Sequence, residues 1–309
     1  MTILYAGDAS EADQWLSAVQ AIDPSLDFRR WPDHGDPADI DFIIVGGRMP
    51  GDLSGFTKLR GIQSTWAGVN HLLLSGELPP GVPVARMVDD GLTYSMSEYL
   101  VFQVLDQLRH GRELRAAQRD GIWAQGLGAA YSYPVVGIMG LGKLGQDAAR
   151  QLHALGVTLR GWSRTPKAIE GVECFAGQAA LPAFLGKCEI LICLLPLTPD
   201  TSGILDRQLF DLLPDKACLI NAARGPHLVE ADLLAALDRG KLAHAVLDVF
   251  AVEPLPSAHR FWTHPKVTVT PHIAAITRPG TGAVLIVENY RHALAGEALK
   301  NQVDLAQGY

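Results

Sequence analysis

Short runs of aliphatic and β-branched residues alternate with helical patterns from the start of the chain. Residues 3–6, 42–45 and 62–65 read as strands. Between the first two, Trp15, Leu16, Val19 and Ile22 share one helical face, and Ser10 with Asp13 has the spacing of a capping box at its start. Residues 95–119 contain no proline, and Tyr99, Phe102, Leu105 and Leu108 fall on a common face. That spacing predicts one long helix, long enough to bridge two domains. Beyond it, strands are predicted at 135–139, 157–162, 190–195, 217–221, 243–249 and 267–270, separated by helices such as 143–155 and 230–238. Residues 283–294 form a last apolar helix, expected to return to the N-terminal domain.

Apolar strands spaced by helices call for an α/β chain with a parallel sheet covered on both faces, the doubly wound pattern of nucleotide-binding sheets. At 309 residues the chain exceeds one comfortable core, and about 150 residues per domain suggests two. Hydrophobic residues make up 48% and charged residues 19%, so packed cores are expected throughout. The net charge of -7, from 33 acidic and 26 basic residues without long like-charge blocks, gives no footprint for nucleic acid or an anionic membrane. An anionic substrate must then be captured by local basic residues. The N-terminus lacks a basic segment followed by an apolar one, and the longest apolar stretch, 190–197, is far short of a span, so a cytoplasmic location is expected. Cys174, Cys188, Cys193 and Cys218 make no CxxC pair and read as buried free thiols. His259, His264 and His272 lie in one region but without ligand spacing, so no metal is expected.

The strand at 135–139 runs straight into Gly140-Leu141-Gly142-Lys143-Leu144-Gly145 and then into a helical pattern. A strand, a glycine turn and a helix in that order suit a dinucleotide: glycine permits the tight turn and close pyrophosphate approach, and the helix N-terminus supplies N–H groups. The same glycines could also serve a plain turn. About 20 residues further on, an NAD-binding chain usually carries an acid for the ribose 2′-hydroxyl. Here the segment reads Leu159-Arg160-Gly161-Trp162-Ser163-Arg164-Thr165-Pro166-Lys167. With no carboxylate, Ser163, Arg164, Thr165 and Lys167 suit a 2′-phosphate, which favours NADP(H) while leaving NAD(H) possible. Otherwise Arg164 and Lys167 are solvated loop charges.

Three later strand ends carry Asn221-Ala222-Ala223-Arg224-Gly225, Asp248-Val249-Phe250-Ala251-Val252-Glu253-Pro254 and Thr270-Pro271-His272-Ile273-Ala274-Ala275. Ligands of open parallel sheets sit at the carboxyl ends of the strands, so Arg224, Glu253 and His272 are expected to converge. Reduction of a 2-keto acid needs a group to hold the carboxylate and polarise the ketone, and an acid to protonate the oxygen. The arginine fork suits the first task and imidazolium the second. A neighbouring carboxylate stabilises the charged ring and fixes its tautomer. Taken singly, each of the three has an ordinary reading as a loop residue.

Through GLGKLG, the Leu-Leu-Pro-Leu-Thr run at 194–198, NAARG, DVFAVEPLP and TPHIAA, the chain resembles the D-isomer-specific 2-hydroxyacid dehydrogenases over nearly its whole length. Within them it is most similar to glyoxylate/hydroxypyruvate reductases, whose NADP-binding members carry a turn like Trp162-Ser163-Arg164. The resemblance implies a Rossmann-type cofactor domain over 99–278 and a smaller flavodoxin-like substrate domain from 1–98 and 279–309. It also implies a homodimer, catalytic Arg224, Glu253 and His272, and cofactor contacts at Leu195, Pro196, Ala222, Asp248 and Ala274. The family's carboxylate-binding Gly-Ala-Gly-Val loop corresponds to Trp66-Ala67-Gly68-Val69. Trp66 replaces the first glycine, either as part of the pocket or turned into the core, and Arg278 is a second candidate cation for the substrate. The expected activity is reduction of glyoxylate or hydroxypyruvate to the D-2-hydroxy acid. Bulkier substrates such as phenylpyruvate, which Trp66 could stack, and a non-catalytic NADP(H)-sensing scaffold are the alternatives.

Overall fold

In the computed structural model, residues 2–47, 49, 51–73, 76–127 and 134–305 are described. The chain begins with β1 (Thr2–Ala6), α1 (Ala9–Ile22), β2 (Asp27–Arg30), β3 (Phe42–Val45), β4 (Gly61–Ser64), α2 (Asn70–Leu73) and β5 (Val84–Ala85). Then come α3 (Asp90–Leu108), α4 (Gly111–Arg119), β6 (Val135–Met139), α5 (Lys143–Ala154), β7 (Thr158–Ser163), β8 (Val172–Ala176), α6 (Leu181–Leu185) and β9 (Ile190–Cys193). The last part holds α7 (Arg207–Leu212), β10 (Ala217–Asn221), α8 (Glu230–Asp238), β11 (Leu242–Leu247), β12 (Val267–Val269) and α9 (Pro279–Ala295). Contacts divide the chain into one unit of Met1–Leu92 with Ile276–Tyr309 and a second of Thr93–Ala275.

The first unit is a parallel sheet in the order β2-β1-β3-β4-β5, the flavodoxin arrangement. Every residue of β1, β3 and β4 is buried, as expected of central parallel strands covered on both faces. The C-terminal helix α9 packs on α1 and reaches β4. Inside that contact the fully buried Asn289 donates to Gln63 Oε1 (2.7 Å) and to Lys300 O (3.0 Å), which leaves no polar end of its amide without a partner once Lys300 N donates to Oδ1 (2.7 Å).

The second unit has the parallel order β12-β11-β10-β9-β6-β7-β8. Chain order reverses between β6 and β9, which makes this a Rossmann-type doubly wound sheet with its crevice above that pair. Alternate residues of the central strands enter opposite cores. Met139, Leu191, Cys193, Leu219 and Leu247 join one cluster, whereas Val136, Ile138, Ile190, Ile192, Ile220 and Val246 join the other. Cys188 and Cys193 are buried, and burial pushes their thiols up to about 12. They are therefore protonated, unreactive core residues. Among the described residues no helix is long and apolar enough to cross a membrane.

Three local expectations change. The long helix over 95–119 is two helices, because His110 takes a left-handed conformation (φ 53°) that breaks α3 from α4. Arg115 then reaches back across the break to clamp both oxygens of Asp106 at 2.8 Å. At the start of α1, the cap is Asp8, whose Oδ1 accepts from Ser10 N and Ser10 Oγ at 2.8 Å, rather than Ser10 with Asp13. The strands β2, β5 and β8 carry no apolar run of the expected kind; β2 and β8 are partly exposed edge strands and β5 has only two residues.

His244 on β11 is nearly fully buried between Gln107 Nε2 (2.8 Å) and Thr268 Oγ1 (3.1 Å). Burial, aided by Arg112, pulls its ring down from 6.5 to about 4. The fold therefore favours the neutral ring: this contribution is intact above pH 6.5 and is lost as pH falls toward about 4. Unfolding in urea from pH 7 to 4 should lose roughly 2–3 kcal/mol from this group. His244→Gln should flatten that slope, and an unchanged slope would remove His244 as its source.

Candidate active site

The turn after β6 brings the glycines together by necessity. Gly140 has φ 103°, and a Cβ there would lie 2.6 Å from Leu194 O; a Cβ at Gly145 would lie 2.0 Å from Gly140 O. These two glycines let the turn press on the Leu194-Leu195-Pro196 turn after β9 and let α5 pack under it. Gly142 differs. It is the N-cap of α5, it has no side chain to cap the first turn, and a Cβ there would meet nothing within 4 Å. A helix N-terminus facing open space across a bare glycine fits a dinucleotide pyrophosphate. Lys143 and Leu144 form the first turn of α5 beside it.

At the end of β7, Ser163 Oγ donates to Thr165 O (2.8 Å), so this hydroxyl shapes the turn. Arg164, Thr165 and Lys167 are exposed on it, and no carboxylate occurs among residues 159–167. The described turn thus keeps the chemistry expected for a 2′-phosphate.

Arg224, Glu253 and His272 all belong to the second unit. Arg224 precedes the short turn Gly225–His227 in an extended conformation (φ −143°, ψ 146°). A Cβ at Gly225 would fall 1.9 Å from Phe250 C, so this glycine is what lets the Arg224 turn touch the loop leading to Glu253. Burial pulls the Arg224 guanidinium below its ordinary range, and the charge of Glu253 opposes that pull. Glu253 Oε1 accepts from Phe250 N (2.8 Å), and Oε2 lies 2.7 Å from His272 Nδ1. With both side chains partly exposed, at 35% and 46%, the pair is held yet reachable. If Nδ1 donates to the carboxylate, Nε2 is left to carry or take a proton on the exposed side.

His272 has φ 55°, a left-handed conformation uncommon for a residue with a Cβ. The buried Asp248 maintains it. Its carbonyl accepts from His272 N (2.8 Å), Oδ1 accepts from Thr270 Oγ1 (2.6 Å) and Ile273 N (2.9 Å), and Oδ2 accepts from Ala274 N (2.9 Å). Since Thr270 donates to the carboxylate, the 2.7 Å contact between Thr270 Oγ1 and Tyr99 OH has the phenol as donor. Leu195, Ala222 and Ala274 are buried at the neighbouring strand ends. Asn221, Tyr99 and Thr270 were not singled out as functional from the sequence, although Asn221 and Thr270 open two of its motifs.

In the first unit, Trp66 is not in the core. Its side chain is 48% exposed and lies 4.5 Å from the His71 ring. Ala67 and Gly68 are partly buried beside it. Thr277 Oγ1 donates to Thr65 O (2.6 Å), which ties the segment of the exposed Arg278 to the same loop.

The sequence model described as D-isomer specific 2-hydroxyacid dehydrogenase, NAD binding domain, matches residues 101–274. A glyoxylate/hydroxypyruvate reductase A from Yersinia enterocolitica is 43% identical, with all of both chains covered, and one from Serratia proteamaculans is 41% identical with the same coverage. Among solved structures, a D-isomer specific 2-hydroxyacid dehydrogenase from Xanthobacter autotrophicus in complex with NADPH and MES superposes with a TM-score of 0.93 at 41% identity, covering 100% of this chain and 99% of that one. An NADPH-dependent glyoxylate/hydroxypyruvate reductase from Sinorhizobium meliloti in complex with NADP and sulfate gives 0.92 at 38% identity, again covering 100% and 99%.

If Asp248 holds the His272 loop, Asp248→Ala should cost about 2–4 kcal/mol in urea unfolding, because Ile273 N and Ala274 N lose their acceptor inside the protein. Asp248→Asn, which keeps one oxygen, should cost less. Wild-type stability in both variants would refute the clamp.

Proposed function

The chain belongs to the D-isomer specific 2-hydroxyacid dehydrogenase family, and from that premise we propose that it reduces glyoxylate and hydroxypyruvate to D-2-hydroxy acids with NADP(H). The observation that carries this reading is the Glu253–His272 pair at 2.7 Å, coupled electrostatically to the partly buried Arg224. When bound, the nicotinamide supplies the hydride. The turn of Gly140, Gly142, Lys143, Leu144 and Gly145 holds the pyrophosphate, and Leu195, Pro196, Ala222, Asp248 and Ala274 line the strand ends beside the cofactor. The turn of Ser163, Arg164, Thr165 and Lys167 takes the 2′-phosphate; the NADP-bound relatives support that assignment.

Arg224 pairs with the substrate carboxylate and polarises the ketone, a task that its fork performs better than a point charge. His272, oriented through Nδ1 by Glu253, gives the proton on Nε2 to the ketone oxygen. Within the first unit, Ala67 and Gly68 offer backbone amides and Arg278 a positive charge, groups suited to an anionic substrate. A homodimer in the cytoplasm completes the reading. Sedimentation should then give twice the monomer mass. The half-exposed Trp66 favours phenylpyruvate as a second reading, since its ring is available for stacking.

Steady-state oxidation of NADPH and NADH with glyoxylate, hydroxypyruvate and phenylpyruvate tests the proposal. Fast turnover is expected with NADPH and the two small acids. Binding of NADPH without turnover of any keto acid would instead indicate a sensor. His272→Ala should lower turnover about a hundredfold or more and leave cofactor affinity intact. Arg164→Ala should weaken NADPH about tenfold or more and NADH little; equal weakening would sink the phosphate assignment.

A further inference from the structure

His227 is a completely buried histidine two residues past Gly225, and the reaction as proposed makes no use of it. Its ring touches two of the turns that build the site. Nε2 lies 3.2 Å from Pro196 O, and Nδ1 lies 3.2 Å from Arg224 N. A carbonyl can only accept, so Nε2 carries the hydrogen and donates to Pro196 O; Nδ1 then accepts from the Arg224 amide. Nδ1 is also 3.1 Å from Arg224 O, but in this tautomer both of those atoms are acceptors. Burial, with the charge of Arg224, pulls the ring below the ordinary histidine range, against the two carbonyls, in keeping with one proton.

The other polar group of the Arg224 backbone is held as well. Asn221 Nδ2 donates to Arg224 O (3.2 Å), while its Oδ1 accepts from Ala223 N (3.2 Å). Arg224 therefore has its amide fixed by His227 and its carbonyl fixed by Asn221, in the extended conformation that projects its side chain. At the far side of the ring, Pro196 O also accepts from Thr201 Oγ1 (2.7 Å), and this turn is the one whose Leu194 carbonyl packs on Gly140.

We infer that His227 is a positioning residue that fixes Arg224, through an acceptor on its amide, to the turn underlying the cofactor-binding glycines. The inference rests on the role proposed above for Arg224. Neither contact moves a proton in the reaction; the ring sets where the guanidinium sits.

Two variants separate the two ends of the ring. In His227→Asn the side-chain oxygen can replace Nδ1 as acceptor for Arg224 N but cannot reach Pro196. In His227→Gln the amide nitrogen can replace Nε2 toward Pro196, and the Arg224 amide loses its acceptor. Steady-state kinetics with hydroxypyruvate, NADPH affinity by fluorescence, and thermal unfolding are measured on both and on Arg224→Ala. His227→Gln should raise the keto acid KM about tenfold and lower kcat, with NADPH affinity within about twofold, and His227→Asn should recover most of that loss. Equal losses in the two variants that follow their unfolding temperatures, or an unchanged KM in His227→Gln, would overturn the inference. If Arg224→Ala itself leaves KM and kcat unchanged, the functional reading fails and the inference with it. A defect in Arg224→Ala without one in His227→Gln rejects the inference alone.

Discussion

The buried carboxylate of Asp248 is the interaction on which the loop that presents His272 to Glu253 depends. A charge taken out of water must find donors, and three of those it finds, Thr270 Oγ1, Ile273 N and Ala274 N, flank His272 in one loop. The His272 backbone in turn donates to the carbonyl of the same residue. Charge-assisted hydrogen bonds contribute about 1.5–3 kcal/mol each. A left-handed residue with a Cβ costs about 1–3 kcal/mol. Three such bonds outweigh one strained residue, so His272 stays where Glu253 can reach it. Tyr99 extends the chain of donors into α3, and each donor in such a chain polarises the next.

The remaining parts are joined by backbone contact. Gly140 lies on Leu194, Gly145 on Gly140, and Gly225 on Phe250, each at a distance that a Cβ would violate. The glycines therefore join the turns in two pairs, after β6 with after β9 and after β10 with after β11, where the doubly wound order already gathers the carboxyl ends of the strands. Gly142 alone in this group faces open space, where a Cβ would meet nothing within 4 Å.

Central features of the fold were legible because buried parallel strands write themselves as apolar runs: β6, β9, β10 and β11 were each located within a residue or two. Edge strands leave no such mark. Asp27–Arg30 and Val172–Ala176 are half in water, so their composition does not distinguish them from loops. The break at His110 was missed because helical periodicity continues across it; Gly111 was the available signal. The pairing of Glu253 with His272 followed from strand ends and chemistry. The clamp by Asp248 and the cradle of His227 and Asn221 did not, since hydrogen bonds between residues on separate loops have no sequence period to betray them. The same limit applied to Trp66, whose exposure was set by its loop rather than by its apolar character.

The most direct test of the account follows the hydride itself. The chain is given hydroxypyruvate and NADPH deuterated at the transferred position, and the product is resolved by chiral chromatography with mass detection. A nicotinamide held along the strand ends, with Arg224 fixing the keto acid and His272 delivering the proton to oxygen, predicts D-glycerate carrying one deuterium at C2. Racemic or L-glycerate, or product without the label, would contradict it.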